Sequence, residues 1–200
     1  MRRLLLPLAL CCALLAACGN ERVEAPRLVE SARGVGAHRV TFPEAGVTFR
    51  APVNWLLQRR RGPAVFTLQS GAAFVSGFAY EREEDLPASD AELADAERRL
   101  RAQVRKRDRR FRFRSSRRLT VDGAPAIELR GVQRIAGRAL ETRSVHVYKG
   151  EVEYVFEALA PRESFRLASD GVLAQVLRTA RLRGSVRERR ADRDQERRGR

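Results

Sequence analysis

Residues 89–107, SDAELADAERRLRAQVRKR, decide the fold class of this chain. Ser89 and Glu92 match a capping box, in which each side chain accepts a hydrogen bond from the backbone N–H of the other. Apolar residues then recur at helical spacing along one narrow stripe, formed by Leu93, Ala96, Leu100 and Val104. The stretch therefore predicts an amphipathic helix that lies on one face of a sheet.

The period of the apolar residues changes to two directly after this helix. Arg110-Phe111-Arg112-Phe113-Arg114 alternates strictly, which puts phenylalanines on one face of a strand and arginines on the other. Asp122-Gly123 is typical of a two-residue hairpin turn, and Ala136-Gly137 and Lys149-Gly150 mark two further turns. These signals predict an antiparallel meander, with strands at 119–121, 126–133, 140–148 and 152–159.

Strands are also expected before the helix, at 38–42, 47–50, 64–69 and 72–80. Both faces of residues 72–80 are apolar, so we expect this strand to be covered on both sides. A closing helix is expected over residues 161–179. Gly171 would weaken this helix or split it in two, with Asp170 as the cap of the second piece.

The order of these elements predicts the α+β class, as a three-layer α-β-α sandwich around a largely antiparallel sheet. One domain, residues 38–183, contains all of them. Residues 18–37 are polar and predict a flexible tether, with a short helix at 23–32 as the alternative. Residues 184–200 are mostly arginines and acids, and they predict a disordered charged tail.

The N-terminus predicts export. Arg2 and Arg3 precede an apolar run over residues 4–17, which is too short to cross a hydrocarbon core about 30 Å thick. Residues 1–17 therefore match a signal peptide. Its end, Leu15-Ala16-Ala17-Cys18, resembles the lipobox of bacterial lipoproteins.

The lipobox implies that the Cys18 thiol carries diacylglycerol and that Cys18 becomes the mature N-terminus, with further acyl chains such as palmitate strengthening the anchor. The expected location is the cell membrane, on its extracytoplasmic face, or the outer membrane in a host that has one. The alternative is a soluble exported protein with an incidental cysteine. No cysteine follows Cys18, so the mature chain has no internal disulfide.

The charge of the chain is strongly basic, with 40 Lys and Arg against 25 Asp and Glu. This balance favours anionic lipid headgroups, cell-wall polymers or an acidic envelope protein as partners, and export argues against nucleic acid. Arg110, Arg112 and Arg114 are the candidate contacts for such an anionic surface. The alternative is a solvated sheet face whose arginines pair with neighbouring acids.

Several short motifs resemble the PsbP/LpqN-like proteins, whose fold is of the Mog type. They are Gly46-Val47-Thr48-Phe49 with Pro52 and Trp55, then Val121-Asp122-Gly123-Ala124-Pro125-Ala126, and finally Ala160-Pro161 leading to Phe165. The resemblance covers residues 38–183, and its motifs are structural rather than catalytic. It implies a non-enzymatic domain that binds or assists other proteins, and many bacterial members are lipoproteins.

No catalytic, cofactor or metal residues are predicted. Ser144, His146 and Tyr148 share one face of a strand, but the sequence places no acid to orient His146 and contains no nucleophile elbow. His38 and His146 are the only histidines, too few for a histidine-rich metal site.

The expected function is therefore a membrane-anchored binding or accessory module of the cell envelope. Two alternatives remain open. One is a small-lipid carrier, which needs an enclosed apolar cavity of roughly several hundred Å³. The other is a hydrolase or transferase that uses His146.

Overall fold

The computed structural model describes residues 30–184. The signal peptide 1–17, the lipobox residues Leu15, Ala16, Ala17 and Cys18, and the tail after residue 184 lie outside this part of the chain, so those predictions stay predictions. Within residues 30–184, none of the helices combines the length and the apolar character needed to cross a membrane.

The described part contains ten strands, two longer helical regions and one short 3-10 helix. The strands are β1 His38–Phe42, β2 Val47–Ala51, β3 Leu56–Arg59, β4 Ala64–Ser70, β5 Ala73–Glu81, β6 Arg112–Val121, β7 Ala124–Ile135, β8 Arg138–Lys149, β9 Val152–Ala160 and β10 Arg181–Leu182. The first helix is α1 Asp90–Arg107. The C-terminal helix consists of α2 Arg162–Arg166, a π-helical segment Leu167–Leu173 and α3 Ala174–Thr179. A short 3-10 helix, Pro43–Ala45, joins β1 to β2.

The main sheet has seven strands in the order β3-β4-β5-β9-β8-β7-β6, and all neighbours are antiparallel. Two of its hairpins have turns with positive φ at both central residues, Asp122 (50°) with Gly123 (75°) and Ala136 (48°) with Gly137 (79°). Such turns match the right-handed twist of the strands. The meander predicted for the second half of the chain is confirmed.

One face of the main sheet is covered by the small sheet β1-β2-β10 together with the C-terminal helix. Fully buried aromatic side chains, among them Phe49, Phe66, Tyr154 and Phe156, fill the space between these layers. Gly77 on β5 makes room for them, because a Cβ atom there would lie 2.2 Å from the Phe66 ring. We call this side of the main sheet the closed face.

Helix α1 covers part of the other side, which we call the open face. The capping box is present, since Ser89 Oγ accepts from the Glu92 N–H at 3.3 Å and Glu92 Oε2 accepts from the Ser89 N–H at 2.9 Å. Leu93 and Ala96 are buried against Ile127 of β7 and its neighbours. The predicted α+β class and three-layer sandwich are confirmed, with the small sheet as an addition to the C-terminal layer.

The C-terminal helix differs from the prediction. It does not split at Gly171, and Asp170 does not cap a second helix; a π-helical segment continues the chain instead. The carbonyl oxygen of Ser169 accepts from the Ala174 N–H within this segment and from Arg143 Nη1 of β8 at 2.9 Å. The wider turn thus presents a backbone acceptor to a buried guanidinium, which the sequence of the helix alone does not reveal.

Contacts with the domain begin before His38. The Trp55 Nε1–H donates to the Ala32 carbonyl at 3.1 Å, and the Val35 N–H donates to Asn54 Oδ1 at 2.8 Å. The packed domain therefore starts near residue 32. The tether prediction, which extended to residue 37, stays a prediction for residues 18–29, which lie outside the described part.

Candidate functional site

A groove of about 660 Å³ lies between α1 and the open face of the main sheet. It exists because the apolar stripe of α1 is narrow, so that Leu100 and Val104 are only partly buried while Leu93 and Ala96 are buried. The floor comes from three adjacent strands, with Phe78 and Tyr80 on β5, Ser144, His146 and Tyr148 on β8, and Glu153, Val155 and Glu157 on β9.

Two aromatic rings form one end of the floor. Phe78 and Tyr80 are two residues apart on β5, with ring centroids 6.3 Å apart and planes within 12° of parallel. The guanidinium of Arg82 lies 5.5 Å from the centroid of the Tyr80 ring, within cation–π distance. Both rings are half-buried. The expectation that both sides of this strand are covered therefore holds fully on the closed face and only in part on the open face.

His146 is held by a carboxylate. Its Nδ1 lies 2.8 Å from Glu153 Oε1, and Arg82 Nε donates to Glu153 Oε2 at 2.9 Å. Burial raises the pKa of Glu153, but the hydrogen bonds from His146 and Arg82 outweigh it, and the pKa lies below its usual value. An ionised carboxylate can only accept a hydrogen bond, so Nδ1 of His146 carries a proton in this pair. Nε2 lies on the opposite edge of the His146 ring, which lines the groove.

Glu153, the acid that orients His146, was not predicted from the sequence. Glu153 follows His146 on the next strand, and the two side chains meet only through the β8–β9 register, which pairs His146 with Val155 and Tyr148 with Glu153. Ser144 shares this face but lies two residues along the strand from His146, or ~6.6 Å. Within residues 30–184 no hydrogen bond joins Ser144 to His146, so the base has no nucleophile in contact.

Tyr148 closes the inner end of the groove beneath α1. Burial raises the pKa of its phenol above the usual value, and the nearby Glu153 carboxylate raises it further. The hydroxyl is therefore neutral and can donate a hydrogen bond at physiological pH.

A cluster of charges occupies the closed face. Glu128 of β7 is 2% exposed, and its carboxylate accepts from Arg117 Nε (2.9 Å), Arg130 Nε (2.9 Å) and Arg143 Nε (2.7 Å). Burial raises the pKa of Glu128, but the hydrogen bonds from Arg117 and Arg130 and the charge of Arg143 lower it to about 2. Because the guanidiniums already occupy both carboxylate oxygens, we assign this Glu128 cluster a structural role.

The predicted anionic-surface contacts are only partly brought together. Arg110 precedes β6, and its N–H donates to Asp108 Oδ1 at 2.8 Å. Arg112 and Arg114 line one shallow depression, where Arg114 Nη2 lies 3.2 Å from Glu141 Oε1. A β-bulge also interrupts the register next to Arg114. The three arginines therefore do not form one strand face, and an acid offsets part of their charge.

Phe113 lies on the side of β6 opposite to Arg112 and Arg114, as the alternation predicts. It packs with the residues beneath α1, and the guanidinium of Arg101 lies 4.3 Å from its ring centroid. In the part of the chain that the structure describes, no group of three or more His, Cys, Asp or Glu side chains is placed to hold a metal ion.

No protein-family model matches this chain, and no curated protein matches it. Among solved structures it is similar to cyanobacterial PsbP (CyanoP) from Synechocystis sp. PCC 6803, with a TM-score of 0.56 and 13% identity over 78% of this chain and 99% of that one. It is also similar to LpqN, involved in cell envelope biogenesis of Mycobacterium tuberculosis, with a TM-score of 0.51 and 13% identity over 72% of this chain and 89% of that one. The predicted PsbP/LpqN-like fold is confirmed, and at these identities the likeness shows the fold alone.

Proposed function

We propose that this chain is an accessory lipoprotein of the cell envelope, anchored through Cys18, and that the groove beneath α1 is its binding site. The lipobox supports the anchor, and the fold shared with LpqN, a protein of envelope biogenesis, supports the setting. The domain then acts by binding a ligand or a partner and performs no covalent step.

The observation that carries this proposal is the combination of groups on the groove floor. The parallel rings of Phe78 and Tyr80 offer an apolar stacking surface, and the Glu153 carboxylate fixes His146 beside them. Apolar surface with a few positioned polar groups in a concave site is typical of ligand binding.

A small-lipid carrier fits the groove less well. The groove is open to solvent, and charged side chains such as Arg99, Arg107 and Glu157 lie in its walls and floor. Acyl chains need an enclosed apolar cavity, since burying charged groups beneath them would cost desolvation free energy.

Site-specific photo-crosslinking in cells tests the groove. A benzophenone amino acid at Phe78 places the probe on the groove floor, and the same amino acid at Val53, which is 61% exposed and lies outside the groove, is the matched control. We expect a distinct crosslinked species from the Phe78 probe only. Identical products from both positions, or none from Phe78, would refute the groove as the binding site.

The anchor is tested separately by the intact mass of the chain purified from membranes. We expect the mature N-terminus to be Cys18 with diacylglycerol attached, and Cys18→Ala to release the chain from the membrane. An unmodified Cys18, or a chain that begins elsewhere, would contradict the anchor and leave the groove proposal untouched.

A second candidate function is a hydrolase or transferase that uses His146. The contact between His146 and Glu153 favours it, because a carboxylate orients the base of known catalytic triads in the same way. The test compares the turnover of ester and amide substrates by the unaltered chain and by His146→Gln. We expect no turnover that depends on His146; activity that His146→Gln abolishes would replace the binding proposal.

A further inference from the structure

A second concave surface, of about 600 Å³, lies on the outer side of the small sheet, away from the core. Five arginines line it. Four come from four different elements, Arg39 from β1, Arg50 from β2, Arg178 from α3 and Arg181 from β10, and the fifth, Arg183, directly follows β10. We call these five arginines and the hollow between them the basic basin.

The charge of the basic basin is one-sided. All five arginines are exposed, and none of the lining residues is an acid. Arg39 and Arg50 are directly opposite each other in the β1–β2 register, and like charges so placed destabilise a strand pair. Arg181 Nη1 lies 3.5 Å from the carboxylate of Asp122, which lies outside the basin lining. The basin therefore presents positive charge to the solvent and suits an anionic surface.

The basin also lies beside the segment that leads into β1, a few residues after the packed domain begins near residue 32. Arg50 Nη2 donates to the carbonyl of Ala37 at 3.0 Å, directly before β1 begins. If the residues between Cys18 and residue 32 behave as a flexible polymer, they span an r.m.s. distance of about 20 Å. A lipid on Cys18 thus keeps the basin within reach of the lipid headgroups.

We propose that the basic basin binds the anionic headgroups of the membrane that carries the anchor, an inference that rests on the proposed lipid anchor. In this orientation the small sheet faces the bilayer. The groove beneath α1 lies on the other side of the main sheet and therefore faces away from the membrane, where envelope components reach it. The basin orients the domain, and the lipid attaches it.

Vesicle sedimentation with residues 19–200 tests the basin without any attached lipid. This chain keeps every described element and both clusters of buried apolar residues, and circular dichroism with a cooperative thermal transition verifies that it is folded. We expect it to bind vesicles of phosphatidylcholine with phosphatidylglycerol and not vesicles of phosphatidylcholine alone. The intact mass of the chain purified from membranes would show that the anchor proposal is wrong, whereas vesicle sedimentation would show that the basin proposal is wrong.

Two matched double variants locate the binding. Arg39→Gln with Arg178→Gln should lower the partition onto the anionic vesicles about 25-fold, since each basic residue near such a surface contributes about fivefold. Arg112→Gln with Arg114→Gln removes the same charge from the predicted stripe and should lower it by less than about fivefold. Replacing Arg39 and Arg178 by Lys should preserve binding. Equal losses in the two Gln variants, or no binding to anionic vesicles, would overturn the proposal.

Discussion

The closed face and the open face of the main sheet are built in opposite ways. The closed face buries a continuous aromatic and aliphatic core and saturates the buried carboxylate of Glu128 with three guanidiniums. The open face buries only a small cluster beneath α1, formed by Leu93, Ala96, Ile127, Leu129 and Tyr148. Its remaining surface is the floor of the groove.

This difference indicates that the closed face supplies most of the folding stability and that the open face supplies the surface for binding. Burial of apolar area is the main source of folding stability, and most of that area lies on the closed face. The open face keeps half-buried rings and an oriented histidine available for contact, as binding regions do when they come from the less stable part of a fold. Substitutions with matched chemistry on the two faces should therefore have unequal effects.

The largest effect is expected from Glu128→Ala on the closed face. The variant removes the nearest carboxylate of Arg143, which is 6% exposed, and breaking a buried pair in this way costs about 3–5 kcal/mol in the free energy of unfolding. Urea denaturation measures the loss. A loss below that of Glu153→Ala, the matched variant on the open face, would contradict the division between the faces.

The pH dependence of stability should follow Glu128. Its pKa is lowered from 4.5 to about 2, so its contribution is present above pH 4.5 and is lost as the pH falls toward 2. The shift corresponds to about 3 kcal/mol in the free energy of unfolding. Denaturation at a series of pH values should show this decline, and Glu128→Gln should remove most of it. An equal decline in Glu128→Gln would assign the effect to other carboxylates.

On the open face, Glu153→Gln should cost less, about 1.5–3 kcal/mol, because it weakens the charged hydrogen bonds from His146 and Arg82 while the amide oxygen can still accept one of them. Denaturation measures this loss. The NMR signals of the His146 ring should also shift, since an ionised partner no longer holds the proton on Nδ1. Unchanged His146 signals would show that Glu153 does not set the state of the ring.

The smallest effect is expected from Ser89→Ala, which removes the cap of α1 and costs about 1 kcal/mol. The loss should be local, so that residues 90–107 exchange their amide hydrogens faster while the exchange rates of the main-sheet strands do not change. Asp90→Ala is a control that keeps the cap. Faster exchange in β9 would show that α1 and the core open together.

Local signals explain what the sequence could predict. The capping box at Ser89, the alternation of Arg112-Phe113-Arg114 and the turn at Asp122-Gly123 each specify their structure within a few residues, and each is confirmed. Their order was enough to predict three layers around an antiparallel sheet. The short edge strands β3 and β10 were missed because they contain too few residues to show a period.

Features that depend on register or on distant residues could not be predicted. Glu153 meets His146 only through the pairing of β8 with β9, and Arg143 reaches Ser169 across two layers. The arginines of the basic basin come from both ends of the domain, so no local pattern in the sequence predicts it. Arg110, Arg112 and Arg114 were predictable as a stripe because they alternate within five residues. The bulge in β6 and the contact of Arg114 with Glu141 also depend on other strands, so the sequence of β6 alone does not predict them.

Native-state hydrogen exchange tests the contrast between the two faces most directly. The amides of α1 and those of β9 are compared in the same unaltered chain under conditions where exchange reports the free energy of opening. We predict that α1 opens at a free energy at least about 2 kcal/mol below that of β9, because so few side chains fasten α1 to the open face. Equal opening free energies for α1 and β9 would contradict the account, since α1 and the main sheet would then unfold as one cooperative unit.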